Sequence, residues 1–84
     1  AVELDPRFPQ AWYNRGCFLH ERGLNEDAVN AFDNAIRLGM RTPGVHEEKA
    51  RALEELGRDE EAEQAQQQAD DLREQAEAEL VEEY

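Results

Sequence analysis

The chain of 84 residues is long enough for one small domain, near the lower limit at which a self-sufficient core is buried. Twenty-one acidic residues against nine basic ones give a net charge of −12, which repels phosphate and makes nucleic acid and anionic lipid poor partners. No apolar run approaches the ~18–20 residues that cross a bilayer, and the single Cys17 excludes an internal disulfide framework.

In chain order, the opening "AVELDP" (Ala1–Pro6) reads as the end of a helix, because a residue that precedes proline is pushed out of the α region. Pro9 suits a first helical turn, and a helix is expected from Pro9 to about Arg22, stopped by Gly23. Asn25 is the expected cap of a second helix, with Glu26 and Asp27 at its positive end; it runs to about Leu38 and ends at Gly39. "RTPG" (Arg41–Gly44) reads as a loop. A third helix is expected over roughly Val45–Leu56, stopped by Gly57. The fourth starts near Asp59, its expected N-cap. From there to Tyr84 there is no Gly or Pro, and Ala, Glu and Gln favour one helix of more than twenty residues.

Charge divides along the same line. Residues 1–42 carry a net −1 and residues 43–84 a net −11. Eight of the nine bases are Arg, and Lys49 is the single Lys. Many acids with almost no Lys match two settings, a protein of a salt-loving organism and an ordinary solvated acidic face. The lone thiol fits a reducing compartment, so a cytoplasmic location is expected. The chain opens on Ala1 rather than Met, which leaves an upstream targeting signal open.

The chain also repeats itself. At an offset of 34 residues, Ala1 falls on Ala35 and Ala69, Leu4 on Leu38 and Leu72, Gly23 on Gly57 and Glu26 on Glu60. Ala28 likewise falls on Ala62, Ala31 on Ala65, Leu19 on Leu53, and Gly16 on the small Ala50. The order Trp12, Gly16, Leu19, Gly23, Ala28, Phe32, Ala35 resembles the tetratricopeptide repeat. That resemblance implies an all-α fold in which antiparallel helix-turn-helix repeats stack as a short right-handed α-solenoid, here with an extended C-terminal helix. Residues 1–6 become the tail of a preceding repeat, 9–42 repeat one, 43–76 a degraded repeat two, and 77–84 a helical extension or cap of a single domain.

In such a repeat, small residues let paired helices approach, so Gly16 or Ala50 is expected to face Ala28 or Ala62. Larger residues there overpack, at ~1–3 kcal/mol. Trp12, Leu19 and Phe32 are expected to fill the space on either side, and Ala35 to let the next repeat approach. The departures are Arg15 and Lys49 at a Leu position, Met40 for the closing Pro, His46 for the aromatic of Trp12, and Gln66 for Phe32. Repeat two is built mostly of Ala and Leu. A buried Leu contributes ~1.5–3 kcal/mol and Ala far less, so marginal stability is expected.

The sequence holds no Ser/His/Asp spacing, no Gly-rich phosphate loop and no paired-Cys metal motif, so neither catalysis nor a cofactor is expected. Cys17 and His20 are one helical turn apart, but two ligands fall short of the four of structural zinc. They read as a small thiol and a surface imidazole, and His46 as a degraded aromatic position.

The resemblance implies a non-catalytic protein–protein interaction or scaffolding module. Its groove is lined by the first helices of successive repeats. Carried over by position, the partner-binding residues are Tyr13, Asn14, Cys17 and Glu21 in repeat one and Glu48, Arg51 and Glu55 in repeat two, flanked by Gln10, His20, Gly44, Glu47 and Glu54. Relatives that clamp acidic C-termini use Lys, Asn and Arg on this face. Tyr13, Cys17 and Glu48 stand at such positions here, so a protein or peptide partner is expected to be basic or neutral. A solvated face that binds nothing is the plain alternative.

The stripe Ala62, Ala65, Ala69, Leu72, Ala76, Leu80 is apolar, and with Val81 and Tyr84 it extends past repeat two. It reads as a cap with a polar outer face, or else as a seam for a weak homo-oligomer. The second reading makes the chain a self-association module, through residues 72–84 or the leading edge Ala1–Leu4.

Overall fold

The computed structural model describes the backbone of residues 7–82 and side chains through residue 78. The leading edge Ala1–Leu4 and the side chains of Leu80, Val81 and Tyr84 lie outside the described residues. Four helices and no strand are present among them: α1 (Pro9–Glu21), α2 (Asn25–Arg37), α3 (Pro43–Glu55) and α4 (Asp59–Glu82). Each helix packs on the next, and α1 also touches α3. The architecture is all-α and built of helix hairpins, with connections short enough to make neighbours antiparallel.

The expected stops hold. Gly23 and Gly57 take φ of +79° and +78°, the left-handed region that Gly enters without a Cβ penalty. The Gly23 N–H donates to the His20 carbonyl (3.0 Å) and the Leu24 N–H to that of Leu19 (2.9 Å). Gly57 and Arg58 repeat the pattern on Glu54 and Leu53 at 3.0 and 2.9 Å. Each closure satisfies carbonyls left open by the last turn.

Three starts differ from the sequence expectation. Leu24, not Asn25, is the N-cap of α2; Asn25 is already helical, and its side-chain oxygen is buried without a partner. Asp59 likewise sits inside the first turn of α4 rather than before it. α3 begins at Pro43, so half of "RTPG" is helix. Thr42 is its extended N-cap, and proline at the first helical position loses only an N–H that has no helical acceptor.

The largest fully buried side chains are Phe32, Leu53 and Val45; around them the core is alanine, at 28, 31, 35, 50, 52, 62, 65 and 69. Gly16 is buried, and the atoms nearest its face belong to Phe32: a Cβ there would stand 2.5 Å from Phe32 Cε1. The fully buried ring lies on the face of α1 that Gly16 leaves without a side chain. At the same register in repeat two, Gln66 is exposed and Leu53 fills the core.

Along α4, Ala62, Ala65 and Ala69 are buried, Leu72 is half-buried and Ala76 is exposed, so the apolar stripe leaves the core after Leu72. Beyond it, the Arg73 guanidinium donates to Glu47 on α3 and lies 3.9 Å from Asp70. The outer face carries Gln66–Asp70 and Gln67–Asp71 hydrogen bonds at 3.4 and 3.3 Å. The Lys49 ammonium meets Asp33 at 2.6 Å, joining α3 to α2.

Exposed carboxylates outnumber their cationic partners on α3 and α4. Raising NaCl from 10 mM to 0.5 M is therefore expected to raise the thermal midpoint by several degrees, since the Debye length falls from about 30 Å toward a few Å and damps the repulsion. Calorimetry across that series checks it, and a flat midpoint contradicts it.

Candidate functional site: the face shared by α1 and α3

The inner face of α1 is set by helical spacing: Gln10, Tyr13, Asn14 and Cys17 lie within two turns. The half-buried Tyr13 ring leans on Phe32, centroids 5.9 Å apart and planes at 50°. Its hydroxyl lies against the start of α3, where a Cβ added at Gly44 would stand 3.8 Å away. Tyr13 therefore links α1, α2 and α3.

Cys17, one turn on, is half-buried and hydrogen-bonds to Tyr13. Burial raises the Cys17 pKa, and the nearby carboxylates of Glu48 and Glu21 raise it further, while the Tyr13 hydrogen bond opposes them. Burial, then Cys17, Glu48 and Glu47, raise the Tyr13 pKa. Both groups are thus held neutral beside acids contributed by two helices. A thiol so placed is a poor nucleophile.

Around this centre, Gln10 donates its amide to Asn14 Oδ1 at 3.1 Å, and both are exposed. Arg51 Nη1 reaches Glu48 Oε1 at 3.5 Å. His20 Nε2 donates to Glu55 Oε2 at 2.9 Å, a tie from the end of α1 to the end of α3. Of the seven residues read from the sequence, Tyr13 and Cys17 are neighbours on α1, and the Glu48 carboxylate of α3 is near enough to raise the pKa of both. Asn14, Glu21 and Arg51 are exposed at their edges, and Glu55 is bound to His20. The flanking Glu47 turns to α4, where Arg73 holds it. Among the described residues, no three His, Cys, Asp or Glu side chains are grouped as a metal site.

A feature that the sequence missed lies elsewhere. An open cavity of about 340 Å³ is bordered by Ile36, Met40, Arg41, His46, Asp71 and Leu72, and none of the seven residues lines it. His46 is 6% exposed and its Nδ1 is buried without a hydrogen-bond partner. The available signal was the offset itself, which sets imidazole where repeat one has the larger indole of Trp12.

No helix among the described residues is long and apolar enough to cross a membrane. Comparison with curated proteins gives no match. Two sequence models described as tetratricopeptide repeat match the chain, one over residues 1–30 and the other over residues 44–76. Repeats of this kind generally mediate protein–protein interaction. With four stacked helices, glycine stops one repeat length apart and matches in both halves, the chain belongs to the tetratricopeptide repeat family.

Proposed function

We propose that the chain is a non-catalytic interaction module that binds a basic or neutral peptide segment across α1 and α3. The observation that carries this reading is that Tyr13 and Cys17 of α1, with Tyr13 against the start of α3, sit within the field of the Glu48 carboxylate of α3. The half-buried phenol and thiol offer a small apolar floor, and Glu48 with Glu21 supplies the charge at its edge. Asn14 offers amide groups to a peptide backbone, Arg51 stands over Glu48, and Glu55 extends the acidic rim. A carboxylate-rich tail meets repulsion here; a Lys- or Arg-bearing segment meets attraction.

Titration of the labelled protein with basic, neutral and acidic peptides, read by amide shifts, tests this. Basic peptides are expected to move α1 and α3 amides at the lowest concentration, and Glu48→Lys to weaken them roughly threefold to tenfold. Shifts confined to α4 would sink the reading.

A further inference from the structure

The cavity beside His46 is a second site, and repeat one indicates what fits it. Shifted by 34 residues, His46 stands on Trp12. In repeat one the indole of Trp12 packs against the core. In repeat two the smaller imidazole takes that register, and the cavity of about 340 Å³ opens next to it. Its apolar border comes from three places in the fold: Ile36 near the end of α2, Met40 in the connection to α3, and Leu72 on α4, all half-buried. Walls of this kind hold an apolar ring by dispersion and by removing it from water. The volume lies at the low end of the ~300–1,000 Å³ of ligand pockets, so one or two fused rings suit it and a long molecule does not.

Polar groups narrow the choice. His46 is 6% exposed, and its Nδ1 is buried without a hydrogen-bond partner. Burial, and then the Lys49 cation, lowers its pKa, so at pH 7 the ring is neutral and one of its nitrogens is an acceptor. A donor on the entering ring answers it. The rim carries one cation and one anion, Arg41 and Asp71, which offset each other, so a charged ligand gains little. The α4 surface alongside is exposed and polar, with Gln67 bound to Asp71 and Gln66 to Asp70. It gives the rest of a protein partner no apolar contact, so a free small molecule fits better than a side chain on a docked protein.

We propose that this cavity binds a small, neutral, planar aromatic molecule of one or two fused rings, with an N–H or O–H that donates to His46 Nδ1. Indole is the simplest such ligand. The ring lies among Ile36, Met40 and Leu72, and restores from outside the chain the aromatic that Trp12 provides within it. None of the seven residues of the α1–α3 face borders this cavity, so the site is independent of the peptide groove.

Indole titrated into the labelled protein tests this. It is expected to shift the amides of Met40, Arg41, His46 and Leu72 and to leave Asn14, Glu48 and Arg51 in place. N-methylindole, which lacks the donor, is expected to bind roughly threefold to tenfold more weakly. His46→Phe fills the space with a ring of its own and is expected to abolish these shifts in a protein that stays folded, as circular dichroism verifies. Should that variant not fold, the comparison of the two indoles on the unaltered protein decides. The proposal is overturned by no shift at millimolar indole, by shifts confined to the groove, by equal affinity for the two indoles, or by a folded His46→Phe protein that binds indole unchanged. It is equally overturned if N-acetyltryptophanamide binds the same residues more tightly than indole, since the ring of a protein partner is then the occupant.

Discussion

Phe32→Ala is expected to destabilise the domain by about 3–5 kcal/mol, a large part of the 5–15 kcal/mol that holds an ordinary domain together. The side chain is fully buried, lies over Gly16 and supports Tyr13, so its loss opens a cavity where α1, α2 and α3 meet. Urea denaturation followed by the fluorescence of Trp12, the only tryptophan, reads the loss. A change under about 1 kcal/mol would show that the neighbours collapse into the space.

The same contact predicts the sign of its partner substitution. Gly16→Ala gains about 1 kcal/mol of helix propensity, yet its Cβ would stand 2.5, 2.7 and 2.9 Å from three Phe32 ring atoms. Overpacking at ~1–3 kcal/mol is expected to win. Phe32→Leu, which removes the ring, should relieve Gly16→Ala, so the double variant should lose less than the two single losses added. Additive losses would mean the ring and the glycine do not constrain each other.

His46→Phe is expected to do the opposite and stabilise the domain by about 1–3 kcal/mol, the cost of an unsatisfied buried polar atom. The adjoining cavity, about 340 Å³ in volume and bordered by Ile36, Met40 and Leu72, gives the larger ring room. The substitution also changes the response to pH. Burial, and then the Lys49 cation, lowers the His46 pKa from its ordinary 6.5, with Asp33 opposing. Above that ordinary value neither state is protonated at this site. As pH falls below about 6.5 the unfolded chain takes up a proton that the folded one resists, so stability is lost until the lower folded pKa is passed. In His46→Phe that component is absent, and the difference between the two proteins in thermal midpoint should widen from pH 7 toward pH 5. Parallel profiles, or a less stable variant, would contradict it.

Much of this was legible in sequence because it is local. A Gly that ends a helix needs only its own φ and the preceding turn, so Gly23, Gly39 and Gly57 announced three stops. The 34-residue offset carried the repeat. What failed was decided by more distant partners or by competition at one position. Asn25 is a good cap by type, but Leu24 takes the non-helical backbone and leaves Asn25 inside the helix. That Gly16 meets Phe32 depends on which way a ring turns between two helices, and spacing along one chain does not encode it. Of the groove, the clustering of Tyr13 and Cys17 follows from one helical turn. Glu48 joins them, and Glu47 leaves with Arg73, only through the packing of α1, α3 and α4.

The two helix pairs are not equal in depth. Repeat one is held by the indole of Trp12 and the rings of Tyr13 and Phe32, whereas α4 is held largely through the methyl groups of Ala62, Ala65 and Ala69. In a stacked array each unit leans only on its neighbours, so the ends yield independently. Amide exchange is therefore expected to be faster in α4, closed by methyl groups, than in α2, closed by rings.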